Sequence, residues 1–416
     1  MAAQRSKAIS SLANRPLWTC LAVLIVLTPI LWRGPMPWLP TAAAGGAIRI
    51  GEVDPLTGKL ANHGQEIHEG ILYAVNEVNA QGGLAGLKVE LISRDDQSQP
   101  EVAINQTEDL LYREKVLGLV GGYVDSLVGP VSELAAKHRT PYVASASLQS
   151  RLTQGRDNAY FFRVAHLKGI VEPLCRFVVE VLQPRRVSIL YANTPGSTEL
   201  GAEVRACLEK ANIEVPIFEK FRSGLPDFST FLLKLRQARV DTLISGGFFA
   251  DHLVLVRQLK EQNVPLRAYL GPWGIAYPEF IETMGAASEG LLGMCAWNPD
   301  ITLPGTEVAS RNFVERFAAA FGKTPNTTNM HGYVSAKALL LAIAAVLKSG
   351  HELTGENIAK ELRTVNLVTP MEHLAFDENG DPQHYRQTVV QIQKGRLVAI
   401  YPPDRASAGF MAPSGP

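Results

Sequence analysis

A surplus of charge of either sign is missing from this sequence: Lys plus Arg and Asp plus Glu both number 40. A chain with no net field has no means of gathering a polyanion, so nucleic acid is excluded as a partner. Cysteine is scarce, four in 416 residues, and no Cys-x-x-Cys spacing occurs. Neither a disulfide framework nor structural zinc is therefore indicated. Cys175, Cys207 and Cys295, the three beyond the N-terminal region, are expected to be free buried thiols. Catalytic signatures are absent as well: there is no Gly-x-Ser-x-Gly elbow, His-Glu-x-x-His pair, Gly-x-x-x-x-Gly-Lys-Ser/Thr phosphate loop or Gly-x-Gly-x-x-Gly turn. His63 and His68 have no third ligand at metal-binding spacing, and Asp95-Asp96 reads as a strand end rather than a calcium loop. The expectation is a protein with no catalytic residue, no metal and no cofactor.

What is there begins with one apolar run near the N-terminus. Arg5, Lys7 and Arg15 precede Leu17 to Trp32, and Thr41-Ala42-Ala43-Ala44 follows. That is the order of a secretory signal: basic region, apolar region, small-residue cleavage site. Residues 1–44 are read as a signal peptide or, if uncleaved, as an inner-membrane anchor, since residues 17–32 are about the shortest run that spans a hydrocarbon core. Either way the basic flank stays inside and the rest is sent outward, to the periplasm. Cys20 sits too early in the run to be a lipid-attachment site.

From Ile48 onward short apolar runs alternate with amphipathic stretches. Ile48–Val53, Lys88–Ser93, Val116–Val120 and Pro141–Ala144 are predicted strands, apolar on both faces as in a parallel sheet. Between the first two, Glu66 to Asn79 places Ile67, Ile71, Ala74, Val75 and Val78 on one helical stripe, stopped by Gln81-Gly82-Gly83. Pro100 opens the next helix, and Gly129-Pro130 opens another. The pattern restarts at Lys168, with strands at Arg186–Tyr191, Ile213–Phe218, Thr242–Ser245 and Ala268–Gly271. Helices at Arg311–Phe321 and Tyr333–Leu347 are expected to return and cover the first sheet. Asp377-Glu378-Asn379-Gly380 reads as a hairpin turn before a strand at Gln387–Gln393. The fold class is α/β, with two doubly wound parallel sheets.

Several local motifs, in order and spacing, resemble the leucine/isoleucine/valine-binding protein family, the type I periplasmic receptors of ABC importers. They are Ile50 to Gly58, with its Thr57-Gly58 loop; Asn76 to Gly83; Leu91 to Asp96; Tyr160 to Val164; Ser245-Gly246-Gly247-Phe248-Phe249; and Gly271-Pro272-Trp273-Gly274. The resemblance covers about Ile48 to Tyr401. It implies two lobes joined by three crossovers near Ala165, Ala296 and Pro370: residues 48–165 with 297–370 in one, 166–296 with 371–401 in the other. The tail, 402–416, is expected to be disordered. The resemblance further implies a small-molecule ligand held between the lobes, a monomer, and an ABC permease as partner. A sensor protein is the competing partner, and amino-acid or amide binding the family's default.

In amino-acid-binding members, the resemblance implies, loops after the third and fourth strands give hydroxyls and amides to the ligand carboxylate. Here the matching side chains are Asp125 and Leu148, with Ser145 and Ser147 remaining as hydroxyl donors. A Tyr and a Glu of the second lobe, which hold the ammonium, are matched by Phe248 or Phe249 and by Trp273. An anionic Asp125 disfavours a ligand carboxylate, and loss of the Glu removes the partner of a buried ammonium. Tyr123, Phe248, Phe249, Trp273 and Trp297 are expected to form an apolar box, with His63 covering it. Asp125 has a second reading as a helix cap, and one of Phe248 and Phe249 is expected in the core. The ligand is expected to be an apolar or aromatic solute, with a cationic or hydroxyl-bearing one left open by Asp125.

Overall fold

The computed structural model describes residues 46–155, 159–301 and 303–412; the N-terminal signal or anchor reading falls outside them. The first half of the fold is β1 (Ile48–Asp54), α1 (Ala61–Ala80), β2 (Val89–Asp95), α2 (Pro100–Glu108), β3 (Leu119–Tyr123), α3 (Asp125–Lys137), β4 (Tyr142–Ala146) and β5 (Phe161–Arg163). Its five strands lie in the order β2-β1-β3-β4-β5, every pair parallel. The chain then builds α4 (Lys168–Phe177), β6 (Val187–Ala192), α5 (Pro195–Lys210), β7 (Phe218–Phe221), α6 (Ser229–Gln237), β8 (Thr242–Gly246), α7 (Phe249–Glu261), β9 (Ala268–Gly271), α8 (Pro278–Met284) and β10 (Leu292–Cys295). It returns to the first sheet as α9 (Glu307–Phe321), α10 (Thr327–Ser349) and α11 (Gly355–Leu362). After a short ribbon, β11 (Leu367–Val368) with β12 (His373–Leu374), β13 (Thr388–Gln393) and β14 (Arg396–Tyr401) complete a second sheet, ordered β14-β13-β10-β9-β8-β6-β7. The chain builds the two sheets the sequence implied, but the second is not wholly parallel: β13 runs antiparallel to β10 and to β14, the remaining pairs being parallel.

Two glycines explain how α10 reaches the first sheet. A Cβ at Gly70 of α1 would lie 2.0 Å from the Asn329 carbonyl oxygen, and one at Gly332 of α10 would lie 2.2 Å from that of Ile67. Only glycine lets the two backbones cross so closely. α10 is long and apolar enough to cross a membrane, yet most of it is buried against α1, β3 and β4. It is a core helix. Lys337 pairs with Glu77 at 2.8 Å and Lys323 with Glu69 at 2.7 Å along the same crossing.

A buried ion pair pins the crossovers. Arg163, only 1% exposed, donates through Nε to Asp381 Oδ1 at 2.6 Å. Its Nη1 donates to the Gln149 carbonyl at 2.8 Å and its Nη2 to Thr153 Oγ1 at 3.0 Å. One guanidinium thus ties the end of β5, the loop after β4 and the segment that leads into β13, a use for Arg's planar fork of donors.

Several expectations need correction. Cys175 and Cys207 are not free thiols but a disulfide, Cα atoms 6.3 Å apart. It joins neighbouring α4 and α5, a proximity that no sequence spacing encodes; Cys295 is free and buried. α3 begins at Asp125, so Pro130 lies inside the helix instead of opening it. The strand expected at Ile213–Phe218 starts at Phe218 and leaves Glu214 only a bridge to Arg186. Asp377–Gly380 does reverse the chain before β13, with an antiparallel bridge between Phe376 and Pro382 and the Asp377 carboxylate holding the turn; a second hairpin turn, Lys394-Gly395, both at positive φ, joins β13 to β14. Residues 402–412 of the tail are ordered: Met411 exchanges main-chain hydrogen bonds with the Gln391 side chain, and Phe410 packs edge-on to Phe177. These two side chains give the polar tail its anchor.

Candidate functional site

At the end of β3 the chain turns through Val124 at φ +66°, a left-handed angle that a β-branched residue adopts only under strain. The turn aims Asp125, the first residue of α3, across to the loop after β4. There its Oδ1 accepts the N–H groups of Leu148 at 2.7 Å and Gln149 at 2.8 Å. Burial raises the Asp125 carboxyl above its usual pKa, and these two hydrogen bonds work against that rise. The start of α5 faces the same carboxylate from the second sheet: a Cβ on Gly196 would stand 2.5 Å from Asp125 Oδ2. Nearby, the Ser150 N–H donates to Glu199 Oε1 of α5 at 3.1 Å. The lobes are in contact here.

Between the carboxyl ends of the two sets of strands lies a cavity with about 850 Å³ of empty space, its mouth included. Its apolar walls include Tyr123, Leu148, Ile170, Phe248, Trp273 and Tyr277. The Phe248 and Trp273 rings are 6.4 Å apart. His63 stacks on Tyr123 at 4.6 Å and meets Tyr277 edge-on at 5.6 Å. Burial lowers the His63 pKa to about 4, so it is a neutral ring at any physiological pH. Asp125 is the one Asp, Glu, Lys or Arg among the described lining residues. The Cys295 thiol also reaches the wall, but burial pushes its pKa up to about 12, which leaves no thiolate nucleophile.

Of the ten residues expected at the site, Tyr123, Asp125, Leu148, Phe248 and Trp273 come together on the cavity wall. His63 and Phe249 stand at an outer opening next to it. Three do not line the cavity. Ser145 pairs with Ser335 of α10 at 2.8 Å behind the sheet. Ser147 is fully buried, its hydroxyl without a partner among the described residues. Trp297 is wholly buried beneath α9, its Nε1 donating to Ser310 Oγ at 2.9 Å and its ring edge-on to Phe313 at 5.6 Å. The crossover after β10 makes it core. The capping reading of Asp125 is corrected: it is the first residue of α3 and makes no cap bond to that helix, and its carboxylate binds the loop after β4 instead.

Sequence reasoning missed the floor of the cavity. Thr327, Thr328 and His331 reach it from the first turns of α10, and Tyr385 and Gln387 from the approach to β13. A signal for α10 existed in Asn326. Its Oδ1 caps the helix, accepting from Thr328 N at 2.9 Å and Asn329 N at 3.1 Å, while Asn329 Oδ1 accepts from Asn326 N at 2.9 Å. That is an N-terminal capping box, and it starts the helix six residues before Tyr333.

Known proteins align with this architecture along most of the chain. A family model described as periplasmic binding protein matches residues 47–396. The leucine-, isoleucine-, valine-, threonine- and alanine-binding protein of Pseudomonas aeruginosa is 26% identical over 355 residues, 84% of this chain and 91% of the relative. A leucine-binding protein from Thermotoga maritima superposes with TM-score 0.76 at 26% identity, covering 86% of this chain and 99% of that one. An ABC-transporter solute-binding protein from R. palustris, solved with benzoate, superposes with TM-score 0.75 at 16% identity, over 89% and 99% of the two chains.

Proposed function

The chain belongs to the periplasmic binding protein family, and we propose that it is the exported receptor of an ABC importer, closing its lobes on a solute with an apolar or aromatic body and presenting it to an inner-membrane permease. The observation that carries this reading is the state of the amides after β4. Leu148 and Gln149 already give their N–H groups to Asp125, so the protein supplies its own carboxylate where an amino-acid ligand would bring one. A second carboxylate at that place meets like charge in a low-dielectric wall, which is strongly unfavourable. No other Asp or Glu among the described lining residues stands ready for an ammonium. By their names, the Pseudomonas relative binds amino acids and the R. palustris neighbour was solved with benzoate. One scaffold thus accommodates chemically distinct ligands, as a fold with separable site residues does.

Tryptophan-fluorescence titration tests the ligand class, since Trp273 lines the cavity. Leucine, isoleucine and valine are expected to leave the emission unchanged to millimolar concentration. Micromolar binding of any of them overturns the proposal for the ligand.

A further inference from the structure

Four polar atoms with no partner among the described residues belong to residues that line this cavity: Thr327 Oγ1, His331 Nε2, Gln387 Oε1 and Trp273 Nε1. His331 and Gln387 are each 8% exposed. A buried polar atom left unpaired is costly, and a site that holds several together is organised for a group that pairs with them. Thr327 and His331 are one helical turn apart on α10 and so share a face, while the His331 ring lies 6.2 Å from that of Tyr385, whose hydroxyl accepts from Gln387 Nε2 at 2.7 Å. The first three residues thus line one region of the cavity, its floor, and Trp273 lines the side wall.

We infer that this floor reads the polar end of the ligand, and that this end is a neutral group offering both a donor and an acceptor, a carboxamide, urea or hydroxyl, rather than a carboxylate or an ammonium. The inference rests on the receptor reading above and specifies its ligand. The chemistry of the four atoms is the reason. An indole N–H donates only, a side-chain amide oxygen accepts only, and a hydroxyl and a neutral imidazole do either. His331 is kept neutral by burial, which lowers its pKa to about 4. No Lys or Arg among the described lining residues is present to offset a ligand anion. The lone lining carboxylate, Asp125, is already bound to two N–H groups and stands at the starts of α3 and α5, whose positive ends offset its charge. An ionised ligand group would lose its hydration with no compensating charge.

Two matched ligand series test this, one on a phenylethyl body and one on a pentyl body, each ending in carboxamide, hydroxymethyl, carboxylate or primary amine. Binding to the full chain is followed by tryptophan fluorescence, with leucine as a separate arm. In at least one series the carboxamide or alcohol is expected to bind tenfold or more tighter than the carboxylate and the amine. Thr327→Val is expected to erase most of that preference with unchanged circular dichroism, and His331→Gln, which keeps a donor and an acceptor, to retain part of it. A carboxylate or amine bound as tightly as its neutral mate overturns the inference and leaves the receptor reading standing. The inference is equally overturned if no neutral member binds, or if Thr327→Val leaves the selectivity intact. Micromolar leucine binding overturns both.

Discussion

Asp125 shows how far one side chain is legible from sequence. Its identity and its place after β3 were enough to argue against a ligand carboxylate, but not to show that the side chain spends one oxygen on the Leu148 and Gln149 amides, because that depends on the left-handed turn at Val124. Glu66 of α1 is a residue the sequence did not mark at all. It accepts from Asn326 Nδ2 at 2.7 Å, and burial raises its pKa to about 7 from 4.5. A carboxyl raised above its unfolded value contributes stability that is complete below pH 4.5 and is lost as pH climbs through 7. His63, His252 and His331, lowered by burial to about 4 from 6.5, act in the opposite sense: their contribution is complete above pH 6.5 and is lost as pH falls toward 4. Above pH 6.5 the raised groups therefore act without them, Glu66 together with His68, whose bond to Glu52 at 2.8 Å holds its pKa above 6.5. Calorimetry is expected to show Tm falling between pH 6.5 and 8, and Glu66→Gln to reduce that fall by about 1–3 °C. An identical slope in the variant would remove Glu66 from the account.

Among the elements, strands were the most readable, since runs buried on both faces carry a strong apolar signal: β1, β4, β8 and β9 lie within a few residues of their expected bounds. Helix starts were less so. α10 begins at Thr327, and its first turns, which precede the apolar stretch from Tyr333, carry the polar floor of the cavity. Short pieces such as β5, β10 and α11 had too few residues to show a period. The Cys175–Cys207 bond between α4 and α5 was out of reach, because it follows from helix packing. The start of α5 also makes a prediction. Pro195 opens the helix behind the Thr194 cap, which brings Gly196 against Asp125 Oδ2. With Oδ1 tied to two N–H groups, that carboxylate cannot swing aside for a new Cβ. Gly196→Ala is expected to hold the lobes apart, weakening ligand binding about tenfold, or ~1.4 kcal/mol, while Tm stays within a few degrees of the parent. X-ray scattering checks this: the variant should keep its ligand-free radius of gyration at a ligand concentration that compacts the parent. Compaction of both would show that this contact does not limit closure.

For the whole molecule, the two lobes and their three crossings were implied by the family resemblance that the motifs carry, and the place of the cavity agrees with a doubly wound sheet, which puts its ligands beyond the carboxyl ends of its strands. The contents of the cavity were legible only in part. Its aromatic wall followed from Tyr123, Phe248 and Trp273, whereas its floor joins α10 to the approach to β13, segments more than fifty residues apart in sequence. We propose a receptor that keeps the frame of its amino-acid-binding relatives and holds a different solute. Native mass spectrometry of the protein extracted without denaturation tests that claim most directly, by weighing what the cleft carries. The mass released on unfolding is expected to be that of a solute with an apolar or aromatic body and a neutral polar group. Release of leucine, isoleucine or valine would contradict it.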